Sequence, residues 1–106
     1  MIPTLTLYRG ETFDLPAEYL DDDSLPKSLV GEIVTAWFQT SDGTVVPVLT
    51  PISNALGGIY SLRQEKAVTA TWPKGVWPLY VKYDQAGATG NARIELVTLL
   101  QIKDVG

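Results

Sequence analysis

Between turn signals, apolar side chains in this chain recur at every second residue over most of its length. A period of two sends alternate residues to opposite faces of an extended backbone, whereas a helix needs apolar residues at intervals of three and four to build one buried face. The alternation therefore points to β structure. Ile2 to Tyr8 places Leu5 and Leu7 together. Thr12 to Leu20 sets Phe13, Leu15, Ala17 and Tyr19 against Asp14, Pro16 and Glu18, and Pro16, which has no amide hydrogen to give a ladder, marks that strand as an edge or a bulge.

The same grammar continues along the chain. Asp21 to Ser28 is acidic, contains Pro26 and reads as a loop. Gly31 to Gln39 puts Val34, Ala36 and Phe38 on one face and Thr35, Trp37 and Gln39 on the other. Ser41-Asp42-Gly43 is a turn, because aspartate bonds to its own backbone and glycine accepts positive φ. Val45 to Thr50 returns as the hairpin partner, interrupted by Pro47, and Ile59 to Leu62 is a short strand after Gly57-Gly58.

Gln64 to Thr71 breaks the pattern: it has helix formers, no alternation and a proline just beyond, so it reads as one helical turn. Val76 to Asp84 resumes as a strand, with Trp77, Leu79, Val81 and Tyr83 on the core face and Val76, Pro78, Tyr80 and Lys82 opposite. Ala86 to Asn91 is a glycine-rich connection. Ala92 to Lys103 is expected to turn Ile94, Leu96, Thr98, Leu100 and Ile102 inward and Arg93, Glu95, Val97, Leu99, Gln101 and Lys103 outward.

The reading gives seven strands in a single domain spanning residues 1–106. With one helical turn before the sixth strand, it fits an antiparallel, immunoglobulin-like β-sandwich better than an α/β fold, which needs repeated helical segments. A chain of this length buries roughly two-thirds of its unfolded surface and needs no covalent staple.

Composition narrows function by exclusion. The chain has no cysteine and no histidine. That removes thiolate chemistry, the usual general base near neutral pH and the commonest zinc ligand, so no cofactor or metal is expected. A net charge of −4, with only eight scattered basic residues, argues against a phosphate-tracking surface and hence against nucleic acid. No stretch approaches the apolar run of a membrane span, and the opening MIPTLTLYRG lacks the pattern of a secretory signal; a soluble protein made in cytoplasm is expected.

Several candidate sites dissolve on inspection. Asp21-Asp22-Asp23 lacks the alternating ligands and glycine of a calcium loop and reads as solvated. Gly87-Ala88-Thr89-Gly90 is followed by a strand rather than the helix a phosphate loop requires. No pair among Glu18, Glu32, Glu65 and Glu95 is singled out for acid-base work, and an enzyme is not expected.

The aromatics say more. If Val34, Ala36 and Phe38 face inward, Trp37 faces outward; if Trp77, which is expected to anchor the interior, faces inward with Leu79 and Val81, Tyr80 faces outward. Adjacent strands would then place Trp37, Tyr80, Val97 and Leu99 on one outer face. Such a patch usually marks a contact surface for another protein. Two other readings stand beside it: Pro51 to Leu56 folding over the patch within the molecule, and a sugar ring stacking on Trp37 in a carbohydrate-binding or host-surface recognition module.

Arg9-Gly10-Glu11-Thr12-Phe13, Gly31 to Phe38, the Ser41-Asp42-Gly43 turn and Thr71 to Trp77 together resemble small β-sandwich proteins of tailed bacteriophage virions. The nearest named type is the immunoglobulin-like N-terminal domain of siphophage baseplate upper proteins, with related tail and neck proteins. The resemblance implies a non-enzymatic structural component of tail, baseplate, neck or capsid, located in the virion and made in host cytoplasm. It also implies docking onto other virion proteins, as a homo-oligomer or a symmetric ring.

Overall fold

The computed structural model describes residues 4–20, 23–85 and 92–104. Among them are eight strands, β1 (Thr4–Tyr8), β2 (Phe13–Glu18), β3 (Glu32–Gln39), β4 (Val45–Val48), β5 (Ile52–Asn54), β6 (Ile59–Gln64), β7 (Gly75–Gln85) and β8 (Ala92–Lys103), and one short helix, α1 (Lys66–Thr69). The fold is all-β. A five-stranded sheet runs in the order β1-β8-β7-β3-β4 and a three-stranded sheet in the order β2-β6-β5. Every pairing is antiparallel except that of β1 with β8.

The sheets share one core because the inward members of each strand are the apolar ones. Phe13 from β2 and Tyr60 and Leu62 from β6 meet Ala36 and Phe38 from β3, Leu79, Val81 and Tyr83 from β7, and Leu100 and Ile102 from β8. Alternation in β2, β3 and β7 follows the sequence reading, including the edge position of β2. The Ser41-Asp42-Gly43 turn is present, with Gly43 at φ 89°, and its Asp42 carboxylate accepts the Thr44 amide at 3.1 Å.

Three local features differ from the expectation. The first is an extra strand: Ile52–Asn54 pairs with β6, after the chain has crossed between sheets through Leu49, whose carbonyl accepts the Arg63 amide at 2.9 Å. Three residues are too few to show a period. The second is in β8, where Leu79 pairs with Thr98 but Tyr80 pairs with Leu96, leaving Val97 unpaired at a register shift. One extra residue inverts the faces on either side of it. Thr98, Leu100 and Ile102 are buried as expected, whereas Ile94 and Leu96 lie outward.

The third concerns the tryptophans. The enclosed one is Trp72, just after α1, which is 2% exposed and meets Phe13 and Phe38 edge-on at 5.8 and 5.0 Å. Trp77 packs against the core but is only half-buried at its end, so it caps the interior rather than anchoring it. The cause is α1, a short local element. Its Thr69 is fully buried and donates to the Glu11 carbonyl at 2.6 Å, tying the turn down next to Trp72, which packs between the two sheets.

Candidate functional site

The outer face of the five-stranded sheet is built by register. Pro47 on β4 stands opposite Trp37 on β3, Trp37 opposite Tyr80 on β7, and Tyr80 opposite Leu96 on β8. These four side chains form a continuous row across four strands. The Trp37 and Tyr80 rings lie 5.8 Å apart at 30°. Leu99, opposite Pro78, extends the row on one side, and Ile94, 59% exposed and opposite Lys82, extends it on the other. Lys82 and Asp84, both on this face, pair with each other at 3.7 Å, so their charges cancel. An apolar row of this kind is unlike the scattered single hydrophobics of an ordinary wet surface.

Three of the four residues expected on that face stand there: Trp37, Tyr80 and Leu99. Val97 does not. At the register shift it turns onto the core, half-buried, and Leu96 takes its place beside Tyr80. A bulge leaves no reliable mark in a run such as Leu96-Val97-Thr98-Leu99-Leu100, where apolar residues occupy both parities. Nor does Pro51 to Leu56 fold over the patch. Its Ile52–Asn54 portion belongs to the other sheet, and the Pro51 carbonyl accepts the Ser61 amide at 2.9 Å.

Strand edges are the other adhesive feature of a sandwich, and here they are obstructed. The amides of Ser61 and Arg63 point to the β5 side of β6, so the hydrogen-bonded pairs with β2 are those of Tyr60, Leu62 and Gln64. Antiparallel pairs alternate, so Pro16, opposite Ser61, turns its ring nitrogen to the free edge. The Thr40 amide bonds the Thr44 carbonyl, and the same alternation sends the nitrogen of Pro47 to the free edge of β4. On β1 the amide of Tyr8 is taken by the Glu11 carboxylate at 2.7 Å, and β5 is three residues long. A donor is thus missing or occupied on each longer edge, which is how sandwiches avoid pairing with stray strands.

Between β1 and β2 the layers part in an open cleft of about 490 Å³, reaching Leu5, Leu15, Tyr60, Val81 and Tyr83. The Tyr60 and Tyr83 hydroxyls bond each other at 2.5 Å, and Tyr19 stacks on Tyr83 at 4.0 Å. Burial raises the pKa of both phenols; the bond to Tyr83 pushes that of Tyr60 further in the same direction, and in Tyr83 the bond from Tyr60 acts against the rise. A pair of neutral phenols held this way is a core fastening. Among the described residues no group of three or more acidic, histidine or cysteine side chains gathers to hold a metal ion, and no helix is long and apolar enough to cross a membrane. Asp21, Asp22 and the Ala86 to Asn91 connection lie outside the described residues.

The chain matches no protein-family model, and no curated protein aligns with it significantly.

Proposed function

We propose that the chain is an immunoglobulin-like β-sandwich that works as a non-enzymatic docking module, covering the outer face of its larger sheet with another protein. The single observation that carries this reading is the row Pro47, Trp37, Tyr80 and Leu96, open on a face whose longer neighbouring edges each have a donor missing or occupied. Aromatic side chains standing in an apolar surround are the usual anchors of protein interfaces. Edge pairing is hindered at Pro16, Pro47 and Tyr8, which favours association through the face.

Support for the immunoglobulin-like assignment is the strand order β1-β8-β7-β3-β4 over β2-β6-β5, with a helical turn between β6 and β7. The resemblance of its turn and core motifs to small β-sandwich proteins of tailed phages extends the proposal. The module would be a structural component of a virion, at the tail, baseplate, neck or capsid, docked on other virion proteins and repeated with their symmetry. The test is co-expression with the virion proteins encoded around its gene, followed by size-exclusion chromatography. A complex that forms with the wild type and is lost with a Trp37→Ser, Leu96→Ser double variant of unchanged circular dichroism supports the reading. A complex that survives this change removes the face from the interface.

A further inference from the structure

At the end of the sandwich, the β3–β4 turn, the end of β6 and the segment after α1 enclose a groove of about 720 Å³, within the ~300–1,000 Å³ range of small-molecule sites. Its apolar wall is Val46, Pro47 and the half-buried ring of Trp77. That ring is fixed from two sides. Its Nε1 donates to the Pro73 carbonyl at 3.0 Å, and its six-membered ring lies over Gly75, where any Cβ would strike it. A half-buried indole held in a single orientation is a preorganised platform, which loses little freedom when something stacks on it.

Polar groups without protein partners lie in the same groove. Gln64 is 8% exposed, lines it, and has no hydrogen bond from its carboxamide to any described group. Trp72, also in the lining, has a buried Nε1 hydrogen with no acceptor. The Trp72 Nε1 is the kind of unmatched buried polar atom that is uncommon in folded proteins, and the Gln64 carboxamide, with no partner among the described residues, keeps its donor and acceptor for solvent or a ligand. On the rim, the Asp42 carboxylate accepts from the Thr40 hydroxyl and the Thr44 amide, and these bonds keep its pKa below the ordinary value.

We infer that this groove binds a neutral pyranose residue of a glycan, with its apolar face on Trp77 and its hydroxyls on Gln64 and Asp42. A carboxamide offers both donor and acceptor and a carboxylate accepts, a set that matches sugar hydroxyls, each of which gives and takes a hydrogen bond. An anionic ligand does not suit the site: Asp42 is ionised on the rim, and Lys74 is already paired with Asp104 at 3.2 Å. An extended polypeptide does not suit it either, because Pro47 at the wall withholds the edge amide that strand addition would use. The site borders the docking face and shares Pro47 with it, but Trp77, Gln64 and Asp42 stand outside the docking row, and the inference does not rest on that reading.

The test uses the whole chain with methyl glycosides and short oligomers of glucose, mannose, galactose, N-acetylglucosamine and rhamnose, read by saturation-transfer NMR and tryptophan fluorescence. At least one is expected to bind, with affinity falling about tenfold or more in Gln64→Leu, which keeps the buried volume while removing the amide. Asp42→Ala, on the exposed turn, gives an independent variant expected to weaken binding in the same way. Trp37→Ser is expected to bind as wild type does, which separates this site from the docking face. No signal from any glycoside up to about 10 mM overturns the inference. Binding unaffected by both groove variants overturns it too, as does capture of a proline-rich peptide in the groove in place of a sugar.

Discussion

The six-membered ring of Trp77 occupies the space that a Cβ on Gly75 would fill, two residues earlier on the same strand. Gly75 also sits at φ 147°, a backbone setting that side chains rarely adopt. Gly75→Ala therefore meets both backbone strain and a collision with a ring that is itself hydrogen-bonded to Pro73. The expected loss is about 1–3 kcal/mol, with a lower Tm and a red shift of tryptophan emission as the ring is displaced into water. An unchanged Tm would show that Trp77 is free to move aside.

The tryptophans separate by role. Trp72→Ala removes a fully enclosed ring that contacts Phe13 and Phe38, and should cost about 3–5 kcal/mol in urea unfolding. Trp37→Ser, on the outer face, should change stability by less than about 1 kcal/mol. Equal losses would place Trp37 in the core.

Pro16 and Pro47 turn their nitrogens to free edges, so a Pro16→Val, Pro47→Val double variant restores two edge amides. The expected result is an unchanged fold with concentration-dependent association in analytical ultracentrifugation. A variant that stays monomeric at every concentration where the wild type does would remove these prolines as edge guards.

Burial raises the pKa values of Tyr60 and Tyr83 above the ordinary value of 10.0. Above that pH the unfolded chain sheds phenolic protons that the folded protein keeps, so stability conferred by the pair is whole below about pH 10 and declines as pH rises. Urea midpoints between about pH 8 and 11 should fall more steeply for the wild type than for Tyr60→Phe, Tyr83→Phe. Parallel slopes would mean that the phenols ionise freely in the fold.

Much of this architecture was legible because period two is hard to satisfy any other way. The strands carrying Phe13, Phe38 and Leu79, their inward faces, the Asp42-Gly43 turn and the helical turn before β7 all follow from local chemistry. What escaped were features decided between strands. The shift at Val97 is a matter of which residue of β7 meets which of β8, and the flanking run is apolar at every position but one. Trp72 carries no periodic signal because it follows a single helical turn; its burial comes from where Thr69 ties that turn to Glu11. The groove was invisible for the same reason, since Gln64, Asp42 and Trp77 are far apart in sequence and meet only at the end of the folded sandwich.

The passage of the chain from one sheet to the other through Leu49 and Pro51 has a mechanical meaning. On that side the layers are bound like the leaves of a book at its spine, and the Thr50 hydroxyl adds a stitch to the Val34 carbonyl at 2.8 Å. On the other side β1 and β2 are joined in sequence by Arg9 to Thr12, and the cleft lies between their far ends, with the Tyr60–Tyr83 hydroxyl bond at its floor. The side away from that spine is the looser one, so amides of the edge strands β1 and β2 should exchange with solvent deuterium sooner than those of β6 and β7.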